Sequence, residues 1–251
     1  MSVSSIKLSV ASLLLLVMAL LLVSGGAEAM DPEWNYEIGG GVFDIAVSAD
    51  GEYIVAGSTD DDDRLYLFDK DSSTPLWSYQ AGDIMRSVAI SADGEYVAAG
   101  SWDDKVYLFD KDSDTPLWHY TTAGKVYSVA ISADGEYIAA GSGSNKFYLF
   151  DKNSSTPLWS YTTGALVFSV AISADGEYIA VGSLDGTVYF FNKDSSTPIW
   201  SYGIEGALWS VSISADGEYI AAGGNGEKVY LFDKNGSTPL WSYDTGEDLL
   251  S

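Results

Sequence analysis

An all-β fold built from repeated four-stranded units is what the sequence predicts, and three observations carry that expectation. The segment SADGEY starts at Ser48, Ser91, Ser132, Ser173 and Ser214, at spacings of 43, 41, 41 and 41 residues, a period that marks repeat architectures. Each period holds four short runs rich in β-branched and aromatic residues, bounded by Gly, Asp, Asn, Ser and Pro. The runs are too short and too punctuated for helices. Four strands in about 41 residues, repeated without a helix, make each repeat one blade of a β-propeller, packed face to face on its neighbours.

The chain opens on a different kind of segment. Residues 1–29 read as a secretory signal peptide: Lys7, an apolar run from Leu8 to Val23, then small residues ending in Ala27-Glu28-Ala29. The run has 16 residues, short of the ~20 that span a bilayer, so a removed signal is expected and an uncleaved anchor is the alternative. Residues 30–251 then form one propeller domain, with repeats at about 32–74, 75–115, 116–156, 157–197 and 198–238 and a partial one at 239–251.

Within the third repeat the strands follow one another with turn chemistry between them. Val126 to Ile131 is the first; Asp134-Gly135 reverses the chain into Tyr137 to Gly141. A polar break at Ser142 to Asn145 leads to Phe147 to Phe150, and Asp151 to Ser155 turns that strand toward Pro157 to Tyr161. Proline opens the last strand, where a missing amide donor is tolerated at a sheet edge. Small residues such as Ala98-Ala99-Gly100 and Ala139-Ala140-Gly141 suit the inner strands, where blades converge. Trp77, Trp118, Trp159, Trp200 and Trp241 lie on the last strand, where blades splay apart and large rings fill the gap.

These residues resemble two related families. The segment VYSVAISADGEYIAAGS is similar to the inner half of a WD-repeat blade, with Phe150-Asp151 in place of the Trp-Asp dipeptide. The outer half resembles pyrroloquinoline-quinone-type, quinoprotein dehydrogenase-like propeller repeats, in which an Asp precedes by eight residues a Trp that docks against the next blade. That spacing recurs from Asp69 to Trp77, Asp110 to Trp118, Asp151 to Trp159 and Asp233 to Trp241, with Asn192 to Trp200 as a variant. The Thr-Gly of that family reads Ser72-Ser73, Ser113-Asp114 or Gly236-Ser237 here. The resemblance implies a propeller fold; both families include many members that only bind.

Ring closure admits two arrangements. A lone last-strand motif, Pro32 to Tyr36, precedes five inner sets, so the chain has one outer strand too many. Either five blades close with a spare strand at the seam, which is the preferred reading, or the chain is an open arc of a larger six- to eight-bladed ring.

Charge and cysteine content restrict function. The chain carries 36 Asp and Glu against 12 Lys and Arg, net −24 at pH 7, which repels phosphate backbones and anionic headgroups. Neither a nucleic-acid partner nor a membrane contact beyond the signal segment is expected. With no cysteine, the fold rests on burial, and thiolate metal sites and cysteine nucleophiles are excluded.

The repeats themselves indicate a working face. In an up-and-down meander the turns after SADGE and after Asp-Lys share one face and are nearly identical in all copies, while the turns after WSY and after Gly-Ser diverge on the other. At the start of each first strand on that variable face stand Phe43, Arg86, Tyr127, Phe168 and Trp209, expected to ring the mouth of the central channel. Aromatic residues with arginine are what binding hot spots are made of; ordinary plugging of the channel is the plainer explanation. Trp102, on a variable turn where other copies have Asp60, Gly143, Leu184 or Asn225, joins them as a candidate.

Other motifs carry less. Asp110, Asp112 and Asp114 place oxygen ligands at alternate positions, as a calcium loop begins, but lack the later Gly and bidentate Glu; side-chain-capped turns are the expected reading. No cofactor is expected, calcium being the one alternative. Asn153 and Asn235 fit the glycosylation acceptor pattern. His119 replaces a serine of WSY on an outer strand, with no nucleophile dedicated to it. The expectation is an exported, non-enzymatic module that binds a protein or surface glycan, with self-association through open blade edges as a further expectation. A quinoprotein-like enzyme or small-ligand sensor, and a structural surface-layer module, are the alternatives. The expected location is secreted or at the cell surface.

Overall fold

The computed structural model describes residues 32–59 and 62–246. The segment read as a signal peptide lies outside these residues, as do 60–61, within the Asp60–Asp63 run of the longer, 43-residue first spacing, and 247–251. The strands come in five groups of four: β1 (Val42–Val47), β2 (Tyr53–Ser58), β3 (Arg64–Asp69) and β4 (Trp77–Gln80); β5 (Met85–Ile90), β6 (Tyr96–Ser101), β7 (Lys105–Asp110) and β8 (Trp118–Thr121); β9 (Val126–Ile131), β10 (Tyr137–Ser142), β11 (Lys146–Asp151) and β12 (Trp159–Thr162); β13 (Val167–Ile172), β14 (Tyr178–Ser183), β15 (Thr187–Asn192) and β16 (Trp200–Gly203); β17 (Leu208–Ile213), β18 (Tyr219–Gly224), β19 (Lys228–Asp233) and β20 (Trp241–Asp244). Each group is one antiparallel sheet with its strands in sequence order. The chain is therefore an all-β propeller of four-stranded antiparallel blades.

The blades span 42–80, 85–121, 126–162, 167–203 and 208–244. Repeats counted from 32, 75, 116, 157 and 198 are out of phase with them, because each WSY strand pairs with the strand before it, as Trp159 does with Leu149. That last strand starts at Trp159 and not at Pro157: Leu158 is the first residue of this segment to donate an amide to Leu149, and proline has none to give.

The SADGEY segment explains the inner hairpin. In the third blade the Asp134 carboxylate accepts the Ser132 hydroxyl at 2.6 Å and the Glu136 amide at 3.0 Å, and Gly135 takes the left-handed φ of 73° that closes the turn. On the same face each Asp-Lys turn is tied to it, as Lys111 is to Glu95 at 3.5 Å.

The core lies between blades, not within them. Leu65, Leu67 and Val55 of the first blade pack on Met85, Val88, Tyr107 and Phe109 of the second, and equivalent layers follow at the next three seams. Polar bonds repeat across each seam. Ala49, Ala92, Ala133 and Ala174 donate their amides to the carbonyls of Ala92, Ala133, Ala174 and Ala215 at 2.9–3.0 Å. Trp77, Trp118, Trp159 and Trp200 donate their indole N–H to the carbonyls of Lys111, Lys152, Lys193 and Lys234 at 2.6–3.0 Å. The expected docking of the outer tryptophan on the next blade is thus realised four times.

Among the described residues the fifth seam is not made. Inner strands pack in series as β1 on β5, β5 on β9, β9 on β13 and β13 on β17, and among the described residues β17 does not pack on β1 in this way. Val42 is 49 % exposed where its counterparts Met85, Val126, Val167 and Leu208 are at 0 %. Of the two arrangements, the described residues take the open arc and not the preferred closed ring of five. The wedge set by Ala and Gly inside and Trp outside, applied four times, does not bring the last blade back to the first.

Candidate functional site

One backbone feature organises the mouth. Pairing of the first two strands shifts register between Val42 and Asp44, Met85 and Ser87, Val167 and Ser169, and Leu208 and Ser210, and in the third blade between the partners of Val126 and Ser128. Phe43, Arg86, Phe168, Trp209 and Tyr127 are therefore the extra residues of five β-bulges. A bulge takes its residue out of the ladder and re-aims its side chain, and bulges recur beside binding sites.

Four of the five bulged side chains meet, together with Trp102. The Arg86 guanidinium lies 4.9 Å from the Phe43 ring centre and 5.7 Å from that of Phe168. The Phe43 and Trp102 rings are 6.1 Å apart, Trp102 and Tyr127 6.0 Å, and Tyr127 and Phe168 5.9 Å. Residues from four blades thus form one continuous aromatic surface with a guanidinium seated between two rings, a cation–π arrangement. Among the described residues Trp209 makes none of these ring contacts, so the fifth bulge stands apart from the cluster.

Two residues of this surface are not among those the sequence singled out. Lys125 places its ammonium 4.0 Å from the centre of the Trp102 ring. Asp44 follows the first bulge, where the other blades carry Ser87, Ser128, Ser169 and Ser210. Its carboxylate accepts the Val88 amide at 2.8 Å, as the hydroxyls of Ser87, Ser128 and Ser169 accept Val129, Val170 and Val211 at 3.1 Å. Burial raises the Asp44 carboxyl above its ordinary value, against the pull of the Val88 amide, the Ser87 hydroxyl and Arg86. The lone Asp in a column of Ser was the available signal; Lys125 had none, since the other copies carry Gly41, Ile84, Leu166 and Ala207 at its position.

The Trp102 indole N–H is buried and finds no hydrogen-bond partner among the described residues. Its backbone is held: the Trp102 amide donates to Ile84 at 2.9 Å. The backbone thus fixes where the ring is presented.

The acids of the variable face serve the scaffold. Asp103 accepts the Tyr107 hydroxyl at 2.5 Å and the Gly82 amide at 3.1 Å. Burial pushes its carboxyl up, but the bonds from Tyr107, Gly82 and Lys105 outweigh this and leave it below the ordinary value. Asp62 takes the Tyr66 hydroxyl at 2.9 Å and the Ser58 hydroxyl at 2.7 Å.

The remaining candidates are placed as follows. Asp110 caps its turn by accepting the Asp112 amide at 2.9 Å, Asp112 pairs with Lys111 at 3.0 Å, and Asp114 lies next to the Thr115 hydroxyl at 3.5 Å. Among the described residues no three acids converge to hold a cation. Asn153 and Asn235 stand exposed on the opposite, near-identical face. His119 is exposed on β8, 6.0 Å from the Tyr107 ring.

Comparison with known families agrees with the architecture. A family model described as outer membrane protein assembly factor BamB matches residues 102–249. A second, described as WD domain, G-beta repeat, matches residues 36–69 and 73–110. No curated protein matches the chain. Between them the two models reach every blade; WD-repeat domains generally mediate protein interactions.

Proposed function

Because the chain belongs to the repeat family described as outer membrane protein assembly factor BamB, we propose that it is a non-enzymatic binding and scaffold module whose working surface is the bulged aromatic mouth. The observation that carries this reading is the convergence of Phe43, Arg86, Trp102, Tyr127 and Phe168 from four blades. Rigid aromatic rings with a preorganised guanidinium present large contact area at low entropic cost. The occupant favoured is a protein segment, since both matched families are consistent with protein partners; a surface glycan is the second class for the test to separate. The acidic exterior favours basic or neutral partners over acidic ones. With its apolar leader, the chain is read as exported and as acting outside the cytoplasm. The BamB description, an assembly factor, supports a role in holding other proteins.

The test is selection of peptides from a random display library on the folded protein, in parallel with a glycan array. Trp102→Ala and Phe168→Ala are the counter-screens, and Leu117→Ala, at a 52 % exposed position by the Asp-Lys turn on the opposite face, is the control. Peptides that lose at least about tenfold in affinity (~1.4 kcal/mol) on the mouth variants and nothing on the control support the reading. Glycan hits with the same dependence would change the ligand class. Ligands indifferent to the mouth, or turnover and fluorescence change on adding calcium with the quinone, would refute it.

A further inference from the structure

Every seam among the described residues joins the trailing face of one blade to the leading face of the next, and among those residues one half-seam of each kind is left over. On the fifth blade Trp241 is 49 % exposed and Tyr219 48 %, whereas Trp200 is 9 % exposed and Tyr178 packs where a Cβ on Gly217 would come within 2.5 Å of its ring. On the first blade Val42 is the exposed member of an otherwise buried column, and a Cβ on Gly51 would meet nothing within 4 Å.

The leading half-seam is partly covered by the chain itself. Trp34 donates its indole N–H to the Lys70 carbonyl at 2.5 Å and stacks on Phe68 at 5.6 Å, and Tyr36 meets Phe68 edge-on at 5.3 Å. At the next seam Trp77 donates to Lys111 at 2.7 Å and stacks on Phe109 at 5.4 Å, with Tyr79 edge-on at 5.1 Å. Residues 34–36 thus occupy the place of a preceding blade's outer strand while belonging to no sheet.

We infer that a second copy of this chain docks head to tail on the first, its Trp241 replacing Trp34 at the Lys70 carbonyl. The partner is a second copy because the surface that complements Trp241 and Tyr219 is the leading face of a blade of this sequence. Four such seams are already made within the chain, and the fifth leading face keeps the same groups: Val42, the open space over Gly51 and the Lys70 carbonyl. Exchange runs in the stated direction because releasing residues 34–36 breaks no ladder, whereas β20 is paired with β19 from Lys228–Asp244 to Leu231–Trp241. Trp34 is then a competitor that lowers the affinity of each copy for the next. The contact is heterologous, so it leaves a free half-seam at either end and extends unless the arcs close. A net charge of −24 on each copy opposes approach, and added salt strengthens association.

Sedimentation velocity on the full chain tests this. Val42→Asp removes the leading half-seam and Trp241→Ala the trailing one; each variant alone is expected to stay monomeric while wild type gains mass with concentration. An equimolar mixture of the two forms a one-to-one dimer, since each variant keeps the half that the other lost. Trp34→Ala associates at about tenfold lower concentration than wild type. Tyr219→Asp repeats the trailing-face arm should Trp241→Ala melt early. A mixture that stays monomeric, or Trp34→Ala that associates no better than wild type, overturns the inference.

Discussion

Asp44 shows what a single residue contributes to this scaffold. It receives the same amide that serine receives at three later seams, but as a half-buried carboxylate whose affinity for protons is raised by burial. A raised carboxyl favours the folded state below its ordinary value of 3.8 and loses that advantage as pH rises through the folded value. Asp44→Ser is therefore expected to melt at or above wild type at pH 7, with the difference shrinking as pH falls toward 3.8. A Ser variant less stable at pH 7 than at acid pH, relative to wild type, would contradict this. The SADGEY turns behave in the opposite sense. Hydrogen bonds from Ser48, Ser173 and Ser214 hold Asp50, Asp175 and Asp216 below the ordinary carboxylate range. Their contribution is complete above 3.8 and is lost as pH falls through the lower folded values, so acid unfolding should begin with loss of protection in these turns, measured by hydrogen exchange.

Elements explain why one face of the molecule is repetitive and the other is not. The near-identical turns carry the seam: Gly135 at φ 73° lies where a Cβ would come within 2.5 Å of the Tyr96 ring of the preceding blade. Gly135→Ala is expected to cost about 2–4 kcal/mol, from left-handed strain and overpacking together. Gly51→Ala, with the same φ but open space, should cost only about 1–2 kcal/mol, the strain alone. Likewise Trp118→Phe, which leaves the Lys152 carbonyl without its donor, should cost about 1–2 kcal/mol, while Trp241→Phe costs nothing measurable; thermal melts compare each pair. Strand existence and order were legible because SADGEY repeats in every blade and the eight-residue spacing to the outer Trp does too, from Asn192 in the fourth blade and from Asp in the other four. The bulges were not: each adds its residue at the same place in all five copies, so the period carries no trace of it. The mouth residues could be aligned as a column in the sequence, yet their meeting across four blades depends on those bulges. Trp209 shares the column and stands outside the cluster, a difference that no pattern along the chain distinguishes.

At the scale of the whole molecule, one seam is used repeatedly, and its geometry decides what the mouth is. The count of inner and outer strands did not discriminate a ring from an arc, because closure depends on the wedge angle that packed Ala, Gly and Trp side chains set between blades. An open arc makes the mouth a groove bordered by blades one to four, accessible from the gap; a closed ring would make it the rim of a channel. The absence of cysteine gives a clean background for deciding between them. Ala174→Cys with Ala215→Cys places thiols at hydrogen-bonded positions across the fourth seam, and a short bis-maleimide, adding one thiol to each end, should join them within one chain at any concentration. Ala49→Cys with Ala215→Cys places them on the two free half-seams. The open arc predicts no linkage within a chain for this pair in dilute solution, and linkage between chains as concentration and salt rise; efficient linkage within a single dilute chain would contradict it.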